Sequence, residues 1–203
     1  MARAFFLVDG FNLYHALDAL PQYHRYKWIS LRKLASCYLR KQDRIEGIEY
    51  FTTLALWDAS KAARHRIFIK VQENEGVAVT YGQFKRKHKR CTLCGRTFLT
   101  FEEKQTDVNI ALRLFQLAVL DRYDRAIIVS GDTDLIPAVK AVRSSFPGKQ
   151  LGAVIPIGRA SEDLKKQTDF HHRMKEAHLL SSRLPDRLTL RDGTVLACPP
   201  TWR

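Results

Sequence analysis

The sequence predicts an α/β fold, a mostly parallel sheet of about five strands covered by helices on both faces. Three observations carry this. Short apolar runs rich in β-branched and aromatic residues, among them AFFLV, IEYFTT, AIIVS and QLGAVI, recur along the chain, and such runs read as buried strands. Segments with helical spacing of apolar residues separate them, and that alternation gives a parallel sheet buried on both sides. The runs end in polar turns, at Asp9 and Gly10 and again at Ser130, Gly131 and Asp132. A length of 203 residues suits one domain with a small insertion or tail.

Taken in order, RAFFLVD is the first strand, closed by a sharp Asp-Gly turn. A helix follows in WISLRKLASCYLRK, where Leu31, Leu34, Ala35, Tyr38 and Leu39 recur at helical spacing. IEGIEYFTTLAL is strand two, and Asp58 caps a helix that ends at Gly76. VAVTYGQF is strand three, and KRKHKRCTLCGRTF is polar, basic and turn-like. In TDVNIALRLFQLAVLDRY, Val108, Ala111, Leu112, Phe115, Ala118 and Val119 share one helical face. Thr106 supplies its cap and Asp107 a first-turn anion suited to the helix dipole. DRAIIVSGD is strand four, leading into a helix from about Leu135 to Val142. QLGAVIPIG is strand five, and SEDLKKQTDF starts a last helix. The expected division is a domain over 1–178, with a basic CxxC insertion at about 82–100, and a tail over 179–203. In that tail TLRDGTVL forms a small hairpin around Asp192 and Gly193.

Charge narrows the partners. The formal net charge is +13, from 34 Lys plus Arg against 21 Asp plus Glu. Such an excess favours polyanions, because surface cations displace the counterions condensed on phosphates. No run approaches the roughly 18 apolar residues of a membrane-spanning helix. The start, MARAFFLVDGFN, lacks the form of a secretory signal, so the expected location is the cytoplasm. Four cysteines in a chain of this length do not form a disulfide scaffold. VDGFNLY lacks the glycine pattern of a dinucleotide enzyme. A phosphatase using Asp9 as nucleophile would carry a second Asp two residues on, where Phe11 stands.

The acids point to a site. In open α/β sheets ligands bind outside the carboxyl ends of the strands. Asp9 follows the first strand, and Asp132 and Asp134 sit just past the fourth. Asp107 reaches the same edge provided the chain enters its helix from there. Each close pair of these charges repels by about 4 kcal/mol at 4 Å in an effective dielectric near 20. Raised pKa values or a bound cation relieve that, and hard divalent ions suit all-oxygen ligands. Asn12, Ser130 and Thr133 add neutral oxygens, and Asn109 is a further candidate.

Three blocks, FLVDGFNLY, KQTDVNIALRL and AIIVSGDTDLIPAVKAV, resemble in order and spacing the three signature blocks of the NYN domain family. These are PIN-like nucleases, and the chain is most similar to the LabA-like branch over roughly residues 3 to 170. The resemblance implies a Rossmann-like (PIN-like) three-layer sandwich and a metal-dependent endoribonuclease with an acidic Mg²⁺ or Mn²⁺ site. It assigns metal binding and catalysis to Asp9, Asp107, Asp132 and Asp134, with Asn12 and Ser130 as polar helpers. Thr133 and Leu135 stand where the family often has Ser and Phe, and Asp169 is a loose match to a late family acid. The implied chemistry is phosphodiester hydrolysis, in which divalent ions activate a water and stabilise the leaving oxygen. The alternative is a catalytically weak RNA-binding or regulatory module of the same fold.

The insertion packs Lys85, Arg86, Lys87, Lys89, Arg90 and Arg96 around Cys91 and Cys94. The charges are expected to grip RNA, with DNA as the alternative polyanion, and Phe84 and Phe98 are expected in the core. CxxC followed by Gly is the usual knuckle of a structural Zn²⁺ site, with His88 as a third ligand and no evident fourth. Two reduced thiols in a loop is the competing reading. Lys104 either meets a phosphate or is simply solvated.

Overall fold

The structure, a computed structural model, describes residues 1–203. Along the chain run β1 (Ala2–Asp9), α1 (Gly10–Asp18), α2 (Leu31–Ser36), β2 (Asp43–Thr52), α3 (Ala59–Asn74) and β3 (Ala78–Tyr81). Then come β4 (Gln83–Arg90), β5 (Thr97–Lys104), α4 (Thr106–Val119), β6 (Arg125–Val129), α5 (Ile136–Ser145) and β7 (Gln150–Ile155). The chain closes with α6 (Glu162–Gln167), β8 (Phe170–Arg173), α7 (Glu176–Ser182), β9 (Arg187–Thr189) and β10 (Val195–Ala197).

Six strands form one sheet in the order β3-β2-β1-β6-β7-β8, with every pairing parallel. Strand alternation divides its side chains between two cores. Ala4, Phe6 and Val8 of β1 join Ile127 and Val129 of β6 in one buried cluster, which includes residues of α1, α2 and α3. Phe5 and Leu7, with Ala126 and Ile128, join the other, together with α4, α5 and α6. The strand order reverses between β1 and β6, so a crevice opens where their carboxyl ends part. No helix is long and apolar enough to cross a membrane.

The sixth strand is a departure from the sequence expectation, which carries the last helix into TDF. That helix stops at Gln167 and the chain re-enters the sheet as β8, pairing with β7. Gly152 makes room for it: a Cβ there would sit 2.1 Å from the Phe170 ring. The tail does form the expected hairpin, β9 against β10, with Gly193 at φ +83 in the turn. Its Leu184, Leu190, Cys198 and Trp202 are buried in the same cluster as β1.

Two local expectations are corrected. KRKHKR is strand rather than turn, and β4 pairs in antiparallel register with β5 from Gln83↔Lys104 to Arg90↔Thr97. Its run of cations hides the period-2 signal, because most of both faces of this ribbon meets water. In α4 the buried residues are Ile110, Leu114, Leu117 and Ala118, whereas Val108, Leu112 and Val119 are more than half exposed. The helix carries two apolar stripes, and helical spacing alone does not say which one meets the sheet.

Candidate active site

β1 delivers Asp9 to the crevice as its last residue, buried to 2% exposure. One carboxylate oxygen accepts from Asn12 N at 2.9 Å and so caps α1; the other accepts from Ser130 Oγ at 2.8 Å. The turn after β1 must be glycine, since a Cβ on Gly10 would lie 2.7 Å from both Phe51 O and the Tyr50 ring. Ser130, fully buried after β6, also accepts from Asp132 N at 3.0 Å. Asn12 Oδ1 accepts from Gly131 N at 3.0 Å, tying the β1 turn to the β6 turn. Asp132 in turn accepts from Asp134 N at 2.9 Å and caps the 3₁₀ turn Thr133–Leu135 that leads into α5. Local caps within each turn, and the long-range Ser130–Asp9 and Gly131–Asn12 bonds between them, hold two carboxylates from β1 and β6 side by side.

Asp107 arrives by the hairpin. Gln83 pairs with Lys104, so β4 and β5 leave the end of β3 and return to the same edge of the sheet. Gln105, at φ 81, then turns the chain into α4. The expected Thr106 cap is replaced: Glu103 accepts from Thr106 N at 3.1 Å and from its hydroxyl. Asp107 therefore enters from the carboxyl edge.

Asp9, Asp107 and Asp132 offer oxygens that all lie within 4.8 Å of one another. Asp134 and Thr133 are exposed beside them and Asp134 stands outside that group. Asn109 is turned away, donating to Tyr81 O at 3.4 Å. Asp169 lies at the opposite edge, where it accepts from Leu151 N at 2.7 Å and pairs with Arg143 at 3.1 Å.

Electrostatics mark the cluster. Desolvation raises the Asp9 carboxyl above its ordinary range, outweighing the bonds from Asn12 and Ser130, with Asp132 and Glu103 adding repulsion. Asp107 is pushed up to about 6, first by desolvation and then by Asp132, Asp9, Glu103 and Asp134. Glu103 is the acid that sequence reasoning missed; its spacing before Thr106 and Asp107 was a usable capping signal. Arg159 was missed as well. It follows β7, and a Cβ on Gly131 would meet its side chain at 3.6 Å.

On the hairpin, Lys85, Arg86, Lys87, Lys89, Arg90 and Arg96 are all exposed. Lys87 pairs with Glu102 at 3.1 Å and Arg90 holds Gly95 O at 3.1 Å. Lys104 is occupied by Glu102 at 3.0 Å. Phe84 packs against Trp57 and Phe11, whereas Phe98, expected in the core, is 49% exposed. Cys91 and Cys94 form the turn at the tip, and N–H groups of Cys94 and Leu93 lower the Cys91 thiol. His88 is not gathered with them. It lies three residues before Cys91 on an extended strand, which alternation sends to the other face. The three-acid cluster is the one group of three or more potential ligands that the fold brings together.

Comparisons with known proteins agree with this architecture. The family model described as NYN domain matches residues 3–175. A crystal structure of a protein of unknown function from Vibrio parahaemolyticus superposes with a TM-score of 0.60 at 19% identity. That match covers 90% of this chain and 96% of that one, and shows the fold alone. The curated protein 6-hydroxy-3-succinoylpyridine 3-monooxygenase HspA of Pseudomonas putida is 33% identical over 109 residues. The match takes in 50% of this chain and spans only 33% of that relative's length.

Proposed function

The chain belongs to the NYN domain family, and from that premise we propose that it is a metal-dependent ribonuclease cleaving RNA internally. The observation that carries the reading is the approach of Asp9, Asp107 and Asp132 to within 4.8 Å in a protein of net charge +13. Three carboxylates so placed, with no ion pair among them, fit a hard divalent cation. Asp9, Asp107 and Asp132 would hold it, with Asp134 and Thr133 at the open side. When bound, Mg²⁺ or Mn²⁺ supplies an acidified water and neutralises charge on the phosphate and leaving oxygen.

The chain's own residues do the rest. Asn12 and Ser130 fix both oxygens of Asp9, so its orientation does not depend on ligand. Desolvation and the neighbouring acids push the Asp107 carboxyl up to about 6 without a cation, a cost that a bound cation would relieve. Arg159 and the exposed cations of β4 would meet phosphates on either side of the acids. We assign this unit to residues 1–178, with 179–203 as a tail packed on it.

The test is cleavage of a labelled RNA with Mn²⁺ by the native protein and by Asp132→Asn. Cleavage by the native protein alone supports the reading. Equal cleavage by both points to a contaminant, and none by either leaves the RNA-binding module of the same fold.

A further inference from the structure

Beside the acids, at the carboxyl ends of β1 and β2, lies an open cavity of about 630 Å³ lined by α1, α3 and the β4–β5 hairpin. We infer that this cavity is a binding site for one unstacked nucleobase of the RNA.

Its wall is aromatic. Trp57 lies parallel to Phe101, with ring centroids 3.7 Å apart and planes 3° apart, and Phe84 meets Trp57 edge-on at 4.5 Å. Trp57 remains 44% exposed, with surface on the cavity side. Aromatic faces presented this way are what proteins use to hold unpaired bases, since every base has a π-face.

Its depth is polar and incompletely bonded. Thr53 lines the cavity at 6% exposure, and its hydroxyl has no hydrogen-bond partner. Buried hydroxyls are almost always satisfied, and this one, shut off from solvent, would meet a ligand atom once its side chain turned toward the cavity. Beside it His65 Nε2 lies 3.2 Å from Thr52 Oγ1 and 3.3 Å from Tyr50 OH. Burial drives the imidazole down to about 4, so the ring is neutral, and with Nε2 taken by Thr52 and Tyr50 it has Nδ1 left for a further bond. A base, apolar on its faces and with donors and acceptors on its edge, matches a lining that is mostly apolar with a few polar groups.

Its rim carries one unpaired cation. Arg64 is bonded to Ser60 Oγ at 2.6 Å and forms no ion pair, which leaves its guanidinium for a phosphate. Arg86 shares the face of β4 that carries Phe84 and lies opposite Phe101 in register. The cavity also adjoins the acids: Gly10, next to Asp9, borders it, as does Glu103, which acts electrostatically on both Asp9 and Asp107. A base seated here would place its own chain beside the carboxylates. The identity of the occupant rests on the ribonuclease reading, whereas the existence of a ring-binding site does not.

The four nucleoside 5′-monophosphates, with ribose 5-phosphate as control, are titrated calorimetrically into the protein in EDTA, where no metal-dependent cleavage occurs. At least one nucleotide is expected to bind far more tightly than ribose 5-phosphate. Trp57→Ala should weaken it about ten-fold or more, and Thr53→Val should change the ranking among bases. Circular dichroism of both pocket variants checks that they fold. Binding no tighter than ribose 5-phosphate, or equal binding by folded Trp57→Ala and Thr53→Val, overturns the inference. Nucleotide binding without RNA cleavage would sink the ribonuclease reading and keep this one; cleavage without nucleotide binding would do the reverse.

Discussion

The two edges of one sheet treat the same residue type in opposite ways. At the amino-terminal edge every aspartate has a cation from its own chain. Asp43 is buried against Arg125, with side chains 4% and 3% exposed. Asp124 accepts from Arg3 N and Nη2 at 2.7 Å each, and Asp121 is held by Arg3 and Lys149. At the carboxyl-terminal edge Asp9, Asp107 and Asp132 face one another and Glu103, and none forms an ion pair. The carboxyls respond accordingly. Arg3 holds Asp124 down at about 2, while burial and mutual repulsion push Asp107 up to about 6. An acid that serves the scaffold is satisfied within the chain; an acid that serves a site is left for a cation from outside.

The largest effect should come from exchanging one acid at each edge. Asp9→Asn is expected to lower the Mn²⁺-dependent rate of RNA cleavage by about 10²–10³-fold. Asp124→Asn should leave that rate unchanged and cost about 1–2 kcal/mol of stability through its lost bonds to Arg3. Rates and urea denaturation on the same preparations check both. Equal rate losses at the two edges would erase the contrast.

Next in size is the buried pair. Arg125→Met strands Asp43 without a partner and is expected to destabilise by about 3 kcal/mol. The double variant with Asp43→Asn should recover most of that, because the cost lies in the unpaired charge. Single and double variants compared by denaturation decide it. No such rescue is expected between Asp9 and Asp132, which repel.

How far this contrast could be read in the sequence depends on range. Asp9, Asp132 and Ser130 were legible because each follows an apolar strand directly, and the parallel-sheet rule then carries strand ends to one edge. Asp107 needed the hairpin. Its place at that edge depends on Gln83 pairing with Lys104, and KRKHKR gives no alternating apolar signal to announce a strand. Glu103 shares that dependence for its place beside the acids, although its spacing before Thr106 was a local capping signal. The buried stripe of α4 was misassigned because Val108, Leu112 and Val119 have the same period as Ile110, Leu114 and Leu117. Trp57, Thr53 and Arg64 carry no motif at all, and only packing of the hairpin over α3 and β2 makes them neighbours.

Within the carboxyl-terminal edge, Asp134 stands apart from the group of three and is exposed. Asp134→Asn is expected to cost about ten-fold in cleavage, the size of a residue that supports ligands rather than one that is a ligand. A loss as large as that of Asp9→Asn would place Asp134 in the inner set.

The smallest expected effect tests the repulsion itself. In the metal-free protein Asp107 titrates at about 6, against an ordinary value of 3.8. Between those values the native state keeps a proton that the unfolded chain has lost, so this group's contribution to stability falls as pH rises from about 4 through 6. Above 6 the full penalty is present. Asp107→Asn should therefore be more stable than the native protein at pH 7.5, by about 1 kcal/mol once solvent screening of a half-exposed group is allowed for. That advantage should shrink through pH 6 and vanish near pH 4. The difference between the two proteins is the quantity to measure. His15, His65, His172 and His178 are all depressed chiefly by burial, and they pull native stability the other way as pH falls. Asp124, held at about 2, takes its contribution away only below pH 4, so the amino-terminal edge is silent across this window. Saturating Mn²⁺ should reverse the order at pH 7.5, because the native carboxylate gains the cation and the amide does not. An advantage of Asp107→Asn that stayed constant from pH 7.5 to pH 4 would come from packing, and the acids of the carboxyl edge would then carry no strain for a metal to relieve.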